Sequence, residues 1–404
     1  MSGFLHGVEV LEIDTGPRPI RTISTGVIGI VGTAPAADAD AFPLNTPVLV
    51  AGSRSEAAKL DMTDDRTGGG TLPSALDGIF DQIGAVVIAI RVEEGADETE
   101  TLANMIGGVN ATTGQFEGVH ALLGAESVVG HAPRILCAPG WTHQRLEDNG
   151  NPGTYFANPV VAELEGIADR MAAVVIADGP NTTDAAAIAY AGDWGTTSRI
   201  YVVDPWVKVA GPGGVVDEPP SARVAGVIAR TDNDEGFWKS PSNEGVSGII
   251  GTSRPIDFKL GDRAARANLL NENGVATIIN QGGRRLWGNQ VPTADPKWQY
   301  LCVRRTADVL NESIQRAHMW AVDRAITKTY IDDVVEGVNG FIATLVAQDA
   351  LLGGSCWADP DLNTAASIQN GQVWFNFDFT PPYPAERVTF RSHLTNEYIA
   401  EALG

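Results

Sequence analysis

The chain has 404 residues, of which 44% are hydrophobic, so it is long enough for two or three domains with large buried cores. Its 28 Lys and Arg oppose 50 Asp and Glu, and the formal net charge of -22 repels phosphate backbones and anionic membranes, which argues against nucleic-acid wrapping. No run of about 18 apolar residues is present, and the N-terminus lacks the basic segment and apolar stretch of a signal peptide, so we expect a protein made and kept in a cytoplasm.

The first predicted element is a short strand at residues 7–14 (GVEVLEID), with Val8, Val10 and Ile13 as its apolar members. It is too short and too polar to be a core strand. Pro17 and Pro19 separate it from the next apolar run, which is typical of an arm that leaves the body of a protein.

The segment from Thr25 to about Arg254 alternates short apolar runs with helical stretches. Strands are predicted at 27–31, 48–51, 86–92, 134–138, 174–177 and 200–203. Helices are predicted at 157–171, 182–194 and 222–230, and a long loop rich in proline and glycine at 206–220. Apolar strands separated by such helices favour βαβ crossovers and a partly parallel, buried sheet.

After Ser253 the pattern changes to that of an α+β unit, with strands predicted at 274–280 and 284–289 and two long helices joined near Tyr330. The first helix, 307–330, and the second both carry apolar residues at helical spacing. These residues are Leu310, Ile314, Ala317 and Ala321 on the first, and Val334, Val338, Phe341, Ile342, Leu345 and Leu352 on the second. The second helix is predicted to end at Gly353 and Gly354, where a left-handed cap favours glycine.

A second short strand is predicted near the C-terminus, at residues 387–394 (RVTFRSHL), with Val388, Phe390 and Leu394 as its apolar members. Three prolines, at 381, 382 and 384, precede it. Arms that carry strands can join the sheet of a neighbouring molecule. The alternative is that both runs pair with an edge of their own chain.

The predicted fold is therefore an α/β outer domain with a partly parallel sheet, an α+β core domain with two long helices on a sheet, and extended strand-bearing arms at both ends. The expected boundaries are 1–20 for the N-terminal arm, 21–254 for the α/β domain, 255–384 for the core domain and 385–404 for the C-terminal arm, with 21–95 packing partly on the core domain. No repeat with a period of 20 to 50 residues is present, so a solenoid or propeller is not expected.

Enzyme signatures find little support. Gly26, Gly29 and Gly32 are evenly spaced, but they lie inside an apolar run rather than between a strand and a helix, as a dinucleotide loop requires. Asp232 and Asp234 resemble the start of a calcium loop, yet Gly236 comes one position early and no closing Glu follows. A solvated acidic turn is the preferred interpretation, and no cofactor or metal is expected.

The six histidines occur singly, without a metalloprotease helix or a nucleophile motif. His131 and His143 bracket Cys137, but a span of twelve residues across a strand and a turn places them there as easily by accident as by design. The cysteines, at 137, 302 and 356, are far apart and flanked by apolar residues, so buried free thiols are expected.

Two arginines of the first long helix stand out. A rotation of about 100 degrees per residue places Arg305 and Arg316 opposite the apolar stripe. In so acidic a chain, this basic feature can face an acidic partner. Alternatively, Glu312 and Arg316, four residues apart, support each other on a solvated surface.

From Leu269 to Leu403 the sequence closely resembles the tail sheath proteins of contractile-tailed bacteriophages, especially the P2-like group, and their relatives in R-type pyocins. The matching stretches are LLNENGVATIINQGGRRLWGNQ, VRRTADVLNESIQRAHMWAVDRAITKTYIDDVVEGVNGFIATL, LGGSCWADPDLNT and FDFTPPYPAERVTFRSHLTNEYI. FLHGVEVLEIDTGPRPI and GVIGIVGTAP fit the opening of the same family.

The resemblance implies a structural subunit that has no enzymatic activity or cofactor. Such subunits form hexameric rings, stacked as a helical sleeve around a tail tube, and their arms add strands to the sheets of neighbours. Contraction drives the tube through a bacterial envelope for genome ejection. The implied partners are other copies of the chain and the tail tube, baseplate and tail terminator proteins, without direct nucleic-acid contact or membrane insertion. The implied location is the virion, after assembly in the host bacterial cytoplasm.

On this interpretation Val8, Val10, Ile13, Val388, Phe390 and Leu394 are the predicted inter-subunit strand contacts. Arg305 and Arg316 are candidates for the face toward the tube. The alternatives are the sheath of a phage-tail-like particle such as an R-type pyocin, and a cytoplasmic α/β enzyme with an appended helical domain.

Overall fold

The computed structural model describes residues 19–63, 67–148, 150–211, 213–396 and 398, and the structural statements below concern these residues. The helices are α1 (Arg54–Ala57), α2 (Leu72–Phe80), α3 (Glu98–Ile106), α4 (Ala125–Val129), α5 (Pro159–Met171), α6 (Asp184–Gly192), α7 (Ser221–Asp234), α8 (Arg266–Glu272), α9 (Leu301–Ala317), α10 (Lys328–Ala347) and α11 (Ala365–Gln369). The strands are β1 (Ile28–Thr33), β2 (Val48–Ala51), β3 (Val86–Val92), β4 (Gly108–Val109), β5 (Phe116–Glu117), β6 (Ile135–Cys137), β7 (Leu146–Glu147), β8 (Tyr155–Phe156), β9 (Val174–Asp178), β10 (Ile200–Val203), β11 (Val207–Gly211), β12 (Gly214–Glu218), β13 (Gly251–Thr252), β14 (Val275–Asn280), β15 (Arg284–Trp287), β16 (Gly353–Ala358) and β17 (Phe375–Thr380).

An eight-stranded sheet lies at the centre of the α/β unit, in the order β15-β14-β10-β9-β6-β1-β3-β2. The six strands from β14 to β3 pair in parallel, and β15 and β2 pair antiparallel at the two edges. One face packs against α2 and α7, and the other against α3, α5, α6 and α8. Strands covered on both faces are continuous apolar runs, which is why the sequence pattern could predict them. The prediction of an α/β unit with a partly parallel, buried sheet is confirmed.

Two glycines of β1 permit close packing. A Cβ atom on Gly29 would lie 2.8 Å from Leu122 Cδ2 and 2.9 Å from Pro133 Cβ, and a Cβ atom on Gly32 would collide with Thr71 Oγ1. Real carbon atoms do not approach so closely, so these positions need a residue without a side chain. The glycines have a structural role inside the strand, as their place in an apolar run indicated.

The predicted boundary between residues 254 and 255 is wrong. β14 pairs in parallel with β10, and β15 then pairs with β14, so residues 275–287 complete the central sheet. Val275 and Ile278 are buried in the clusters on the two faces of that sheet. The α/β unit therefore continues at least to Trp287.

The predicted loop at 206–220 is also wrong, because most of it is a β-hairpin. β11 and β12 pair antiparallel from Val207 with Glu218 to Gly211 with Gly214, and β13 adds to β11. The positive φ of Gly214, +123°, allows the reversal at the tip. The glycines thus belong to the turn of a hairpin rather than to an irregular loop.

The long helices α9 and α10 differ from their predicted bounds. α9 ends at Ala317, and the joint spans 318–327, with Thr327 accepting a hydrogen bond from Tyr330 N–H to cap α10. α10 ends at Ala347, and Asp349 takes the left-handed conformation, with φ 58°. The predicted cap at Gly353 and Gly354 is wrong, since both residues begin β16. Ala350 and Leu351 are buried in an apolar cluster formed by α9, α10 and β16, called the third cluster below, so the chain turns into the core before it reaches these glycines.

A small α+β unit follows the central sheet. β16 and β17 form a two-stranded antiparallel sheet, and Phe341, Ile342 and Leu345 of α10 share a buried cluster with Cys356 of β16. Ile20 and Ile23, close to the start of the described chain, pack on the same cluster. No helix of the described chain is both long enough and apolar enough to cross a membrane.

Candidate assembly interface

The C-terminal arm presents an unburied apolar face. Residues 381–396 have no regular secondary structure, and the exposed fractions of Val388, Phe390 and Leu394 are 67%, 92% and 99%. Even spacing places these three side chains on one side of an extended chain. Burial of such a side chain is worth about 1.5–3 kcal/mol, so the arm gains stability when another surface covers this face.

The arm is anchored just before it leaves the body. Glu386 accepts hydrogen bonds from Gln290 Nε2 at 2.6 Å and from Tyr300 Oη at 3.2 Å, and the Tyr383 ring packs edge-on against the Tyr300 ring. Beyond Glu386, no strand pairing joins residues 387–396 to the rest of the described chain. The predicted strand at 387–394 is therefore not paired with any described strand of its own chain.

The N-terminal arm contributes less to the described structure. Val8, Val10 and Ile13 lie outside the described residues, so their role stays a prediction. The described chain starts at Pro19, and Ile23 N–H donates to Ser313 Oγ of α9 at 3.2 Å.

The outer edge of β16 is sealed by a side chain of α10. Asn339 Nδ2 donates to the Cys356 carbonyl at 3.0 Å, and Cys356 N–H donates to Asn339 Oδ1 at 2.8 Å. One amide thus occupies the two backbone groups that a further strand would use at Cys356.

The outer edge of β17 is open. Alternate residues of an antiparallel pair turn their N–H and C=O groups away from the partner strand. Cys356 turns its backbone groups away from β17, toward Asn339. Its partner Phe377 therefore turns its own backbone groups to the unpaired side of β17. Phe375 and Phe379, two residues away on either side, do the same. The side chains of these phenylalanines pack on the third cluster, and no described strand pairs with this edge.

Sequence reasoning missed this small sheet. Its signal was the alternation of Phe375, Phe377 and Phe379 with polar residues in FNFDFT, which is the period of a half-buried strand. Asn339 carried no signal, since a polar residue on a partly exposed helix face is ordinary.

The prediction that Arg305 lies opposite the apolar stripe is wrong. Its side chain is 5% exposed and forms two hydrogen bonds with Asp232 of α7, at 2.7 Å and 2.5 Å. The Asp232 side chain is only 3% exposed. A buried arginine needs such a partner, and this one is 73 residues away in the sequence. Arg305 is therefore unavailable to a tube.

Arg316 lies at the surface, with 42% of its side chain exposed, but its charge is already paired. It contacts Glu312 at 2.7 Å, as the i, i+4 alternative predicted, and Glu126 of α4 at 2.6 Å. Glu312 also binds Arg134 at 2.9 Å, so these residues join α9 to the α/β unit. The orientation of Arg316 toward a tube stays a prediction.

The residues considered for enzyme chemistry are not brought together. Cys137 is fully buried in the central sheet, and burial raises its pKa far above the usual value, so its thiolate does not form near neutral pH. His143 packs edge-on against Trp206, and burial lowers its pKa. Asp232, considered above for calcium, binds Arg305. All three cysteines are buried and free, as predicted. Within the described ranges, no cluster of three His, Cys, Asp or Glu side chains is arranged to hold a metal.

Three family models cover most of the chain: "Tail sheath protein Gp18 domain III N-terminal region" matches residues 25–92, "Phage tail sheath protein central domain" matches 114–290, and "Phage tail sheath C-terminal domain" matches 293–395. The break between the last two falls between β15 and α9, where the central sheet ends, and not at the predicted residue 254.

Full-length relatives carry the same description. The chain is 40% identical to the putative prophage major tail sheath protein of Pseudomonas aeruginosa (strain UCBPP-PA14), over 99% of each protein. It is 35% identical to the tail sheath protein of Escherichia phage P2, over 99% of this chain and 98% of the relative. The chain belongs to the phage tail sheath protein family, as its sequence indicated.

Solved structures share the fold at low sequence identity. The anti-feeding prophage helical sheath in its contracted state matches with a TM-score of 0.69 and 19% identity, over 96% of this chain and 99% of that one. The sheath complex of an extracellular contractile injection system, PVC, also in its contracted state, matches with a TM-score of 0.65 and 17% identity, over 98% and 99%.

Proposed function

We propose that copies of this chain polymerise as stacked hexameric rings into a helical sleeve around a tail tube, and that the sleeve contracts to drive the tube through a bacterial envelope for genome ejection. The observation that carries this proposal is the exposed apolar arm, in a member of the tail sheath family. Phe390 is 92% exposed and has no strand partner in its own described chain.

The arm fits the open edge of β17. An added strand bonds to the outward backbone groups of Phe375, Phe377 and Phe379. Val388, Phe390 and Leu394 of a neighbouring copy then extend the apolar face that covers α10, while Arg387 and Arg391 turn to the opposite face, beside Asp378. The run at residues 7–14 is proposed as a second added strand, with Val8, Val10 and Ile13 as its apolar contacts.

This joint is head-to-tail, because the arm of one copy meets a different surface on the next. A heterologous contact that does not close produces a helical polymer rather than a compact oligomer. Backbone pairing through flexible arms keeps copies connected while their α/β bodies move relative to one another.

Contraction of such a polymer needs no nucleotide. A metastable extended sheath releases free energy when it reaches a better-packed state, and a kinetic barrier holds it until a trigger acts. The proposed partners are the tail tube, baseplate and tail terminator proteins. The proposed location is the virion, after assembly in the host cytoplasm, with no contact to nucleic acid or membrane.

Truncation tests the proposal. The full chain is expected to form sleeves visible by electron microscopy. Removal of residues 1–15, or of 385–404, is expected to leave a folded, soluble protein that does not polymerise, because these residues contribute to neighbours more than to their own core. Sleeves formed by both truncated chains, or a small stable oligomer formed by the full chain, would contradict the proposal.

A phage-tail-like particle is a second candidate function. The relative from Pseudomonas aeruginosa is a prophage protein, and the structural neighbours include an anti-feeding prophage and an extracellular contractile injection system. Neighbouring genes distinguish the two: genes for both tube and capsid favour a complete phage, and a tube gene without a capsid gene favours a tail-like particle.

A further inference from the structure

A cleft of 430 Å³ at one edge of the central sheet is rich in arginine. Arg230, four residues before the end of α7, and Arg284 and Arg285, at the start of β15, line it together with the glycine turn 282–283. The only carboxylate among the described lining residues is Glu244, 3.9 Å from Arg230. In a chain of net charge -22, this is a local excess of positive charge.

The guanidinium groups of Arg284 and Arg285 are held in place by backbone carbonyls rather than neutralised by acids. Arg284 donates to Ile250 O at 2.7 Å, and Arg285 donates to Asn243 O at 2.6 Å and Gln281 O at 3.1 Å. Among the described residues, neither arginine forms an ion pair. Fixed, half-buried guanidinium groups with free N–H donors are suited to binding carboxylates.

The chain also carries the complementary charge on another side. Residues 93–100 (EEGADETE) contain five carboxylates, all exposed, and no described Lys or Arg forms an ion pair with them. This acidic segment follows β3, whereas the arginine cleft adjoins the turn after β14. Both strands run parallel, so the two features lie at the same end of the sheet.

The two features are far apart within one molecule. Six strand spacings of about 4.8 Å separate β3 from β15, or roughly 30 Å. The segment therefore cannot fill its own cleft. Complementary patches near opposite edges of a subunit are what a head-to-tail contact requires.

We infer that the arginine cleft binds the acidic segment 93–100 of a neighbouring copy, as a second contact between α/β bodies. The inference rests on the proposed assembly into a sheath. The contact then places the carboxylates of one copy beside arginines of the next, rather than beside its carboxylates. This charge complementarity selects the correct neighbour, while the arms supply the backbone pairing.

Two charge-reversal variants of the full chain test the inference. R284E/R285E makes the cleft acidic, and E93K/E94K/E98K makes the segment basic, because it changes the net charge of residues 93–100 from -5 to +1. Each is expected to raise the concentration needed for polymerisation by at least about tenfold, measured by sedimentation and electron microscopy. R263E and E272K, at exposed positions away from both patches, are the matched controls and are expected to polymerise like the unmodified chain.

Mixing the two variants separates lost contact from lost folding. The first variant retains its acidic segment and the second retains its arginine cleft, so alternating copies restore opposite charges at every contact. A 1:1 mixture is expected to polymerise near the unmodified concentration. Undiminished polymerisation of either variant alone, or a mixture that stays soluble although both variants melt cooperatively, overturns the inference. Absence of polymer from the unmodified chain would instead count against the proposed function itself.

Discussion

The side-chain amide of Asn339 bonds both backbone groups of Cys356, with N···O distances of 3.0 Å and 2.8 Å. It fixes α10 to β16 and occupies the outer edge of β16, the edge that faces the helix. The unpaired edge is consequently that of β17, so one polar residue decides on which side a further strand can add.

Replacement of Asn339 by alanine is expected to lower the free energy of unfolding by about 1–3 kcal/mol, because buried backbone groups of Cys356 lose their partner. N339D keeps the hydrogen-bond acceptor but loses the donor, so its free energy of unfolding is expected to lie between those of the unmodified protein and N339A. Urea unfolding of the unassembled protein measures the change. Q348A, at an exposed position after the same helix, serves as control, and equal stability of N339A and Q348A would refute the argument.

Phe390 provides a test of the arm at a single residue. F390D is expected to leave the stability of the isolated subunit within about 0.5 kcal/mol, because 92% of the side chain is exposed. Polymerisation is expected to fail, since a carboxylate would be buried at the joint. Sedimentation and electron microscopy measure assembly. L260D is the matched control, at a leucine that is 68% exposed and outside the arm. Normal sleeves from F390D would exclude Phe390 from the contact.

The sequence was sufficient to predict the strands of the central sheet. β2, β3 and β10 have the predicted bounds, because each apolar run ends at a glycine or an acidic residue, namely Gly52, Glu93 and Asp204. The short helix α2 was missed, because nine residues with a proline and a glycine give little periodic signal. The predicted boundary at residue 254 was wrong because the local sequence pattern does not reveal that β14 pairs with β10.

The candidate site was predicted in part, for similar reasons. Exposed apolar residues at even spacing, such as Val388 and Phe390, indicate an arm, but the spacing does not identify the surface that covers them. Arg305 was misplaced because its burial depends on Asp232, which no periodicity within α9 reveals. Long-range pairing of charges is decided by the packing of α9 on α7.

The Arg305–Asp232 pair is expected to behave as one unit. R305M alone leaves a buried carboxylate without its partner and is expected to cost about 3–5 kcal/mol of stability. R305M/D232L removes both charges and is expected to cost much less than the sum of the single changes. Urea unfolding of the unmodified protein, R305M, D232L and R305M/D232L gives the coupling free energy between the two side chains. Strict additivity would show that the two side chains do not stabilise each other.

Asp178 is expected to make stability depend on pH. Its carboxylate accepts hydrogen bonds from Ser221 N–H at 2.8 Å, Ser221 Oγ at 2.9 Å and Thr142 Oγ1 at 2.9 Å, and it caps the N-terminus of α7 from the end of β9. Burial raises the pKa of Asp178 from 3.8 to about 6, although these hydrogen bonds oppose the rise.

Because the folded pKa of Asp178 lies above the unfolded value, the protonated carboxyl stabilises the fold below pH 3.8, and this contribution is lost as the pH rises through 6. The side-chain amide introduced by the D178N substitution cannot ionise. The stability of the unmodified protein relative to D178N is therefore expected to fall by about 2 kcal/mol between pH 4 and pH 7 and to change little above it. Urea unfolding of the unassembled proteins across this range measures the difference, with E272Q, at an exposed carboxyl, as control. A difference that is constant with pH would mean that the Asp178 carboxyl has the same pKa in the folded and unfolded chain.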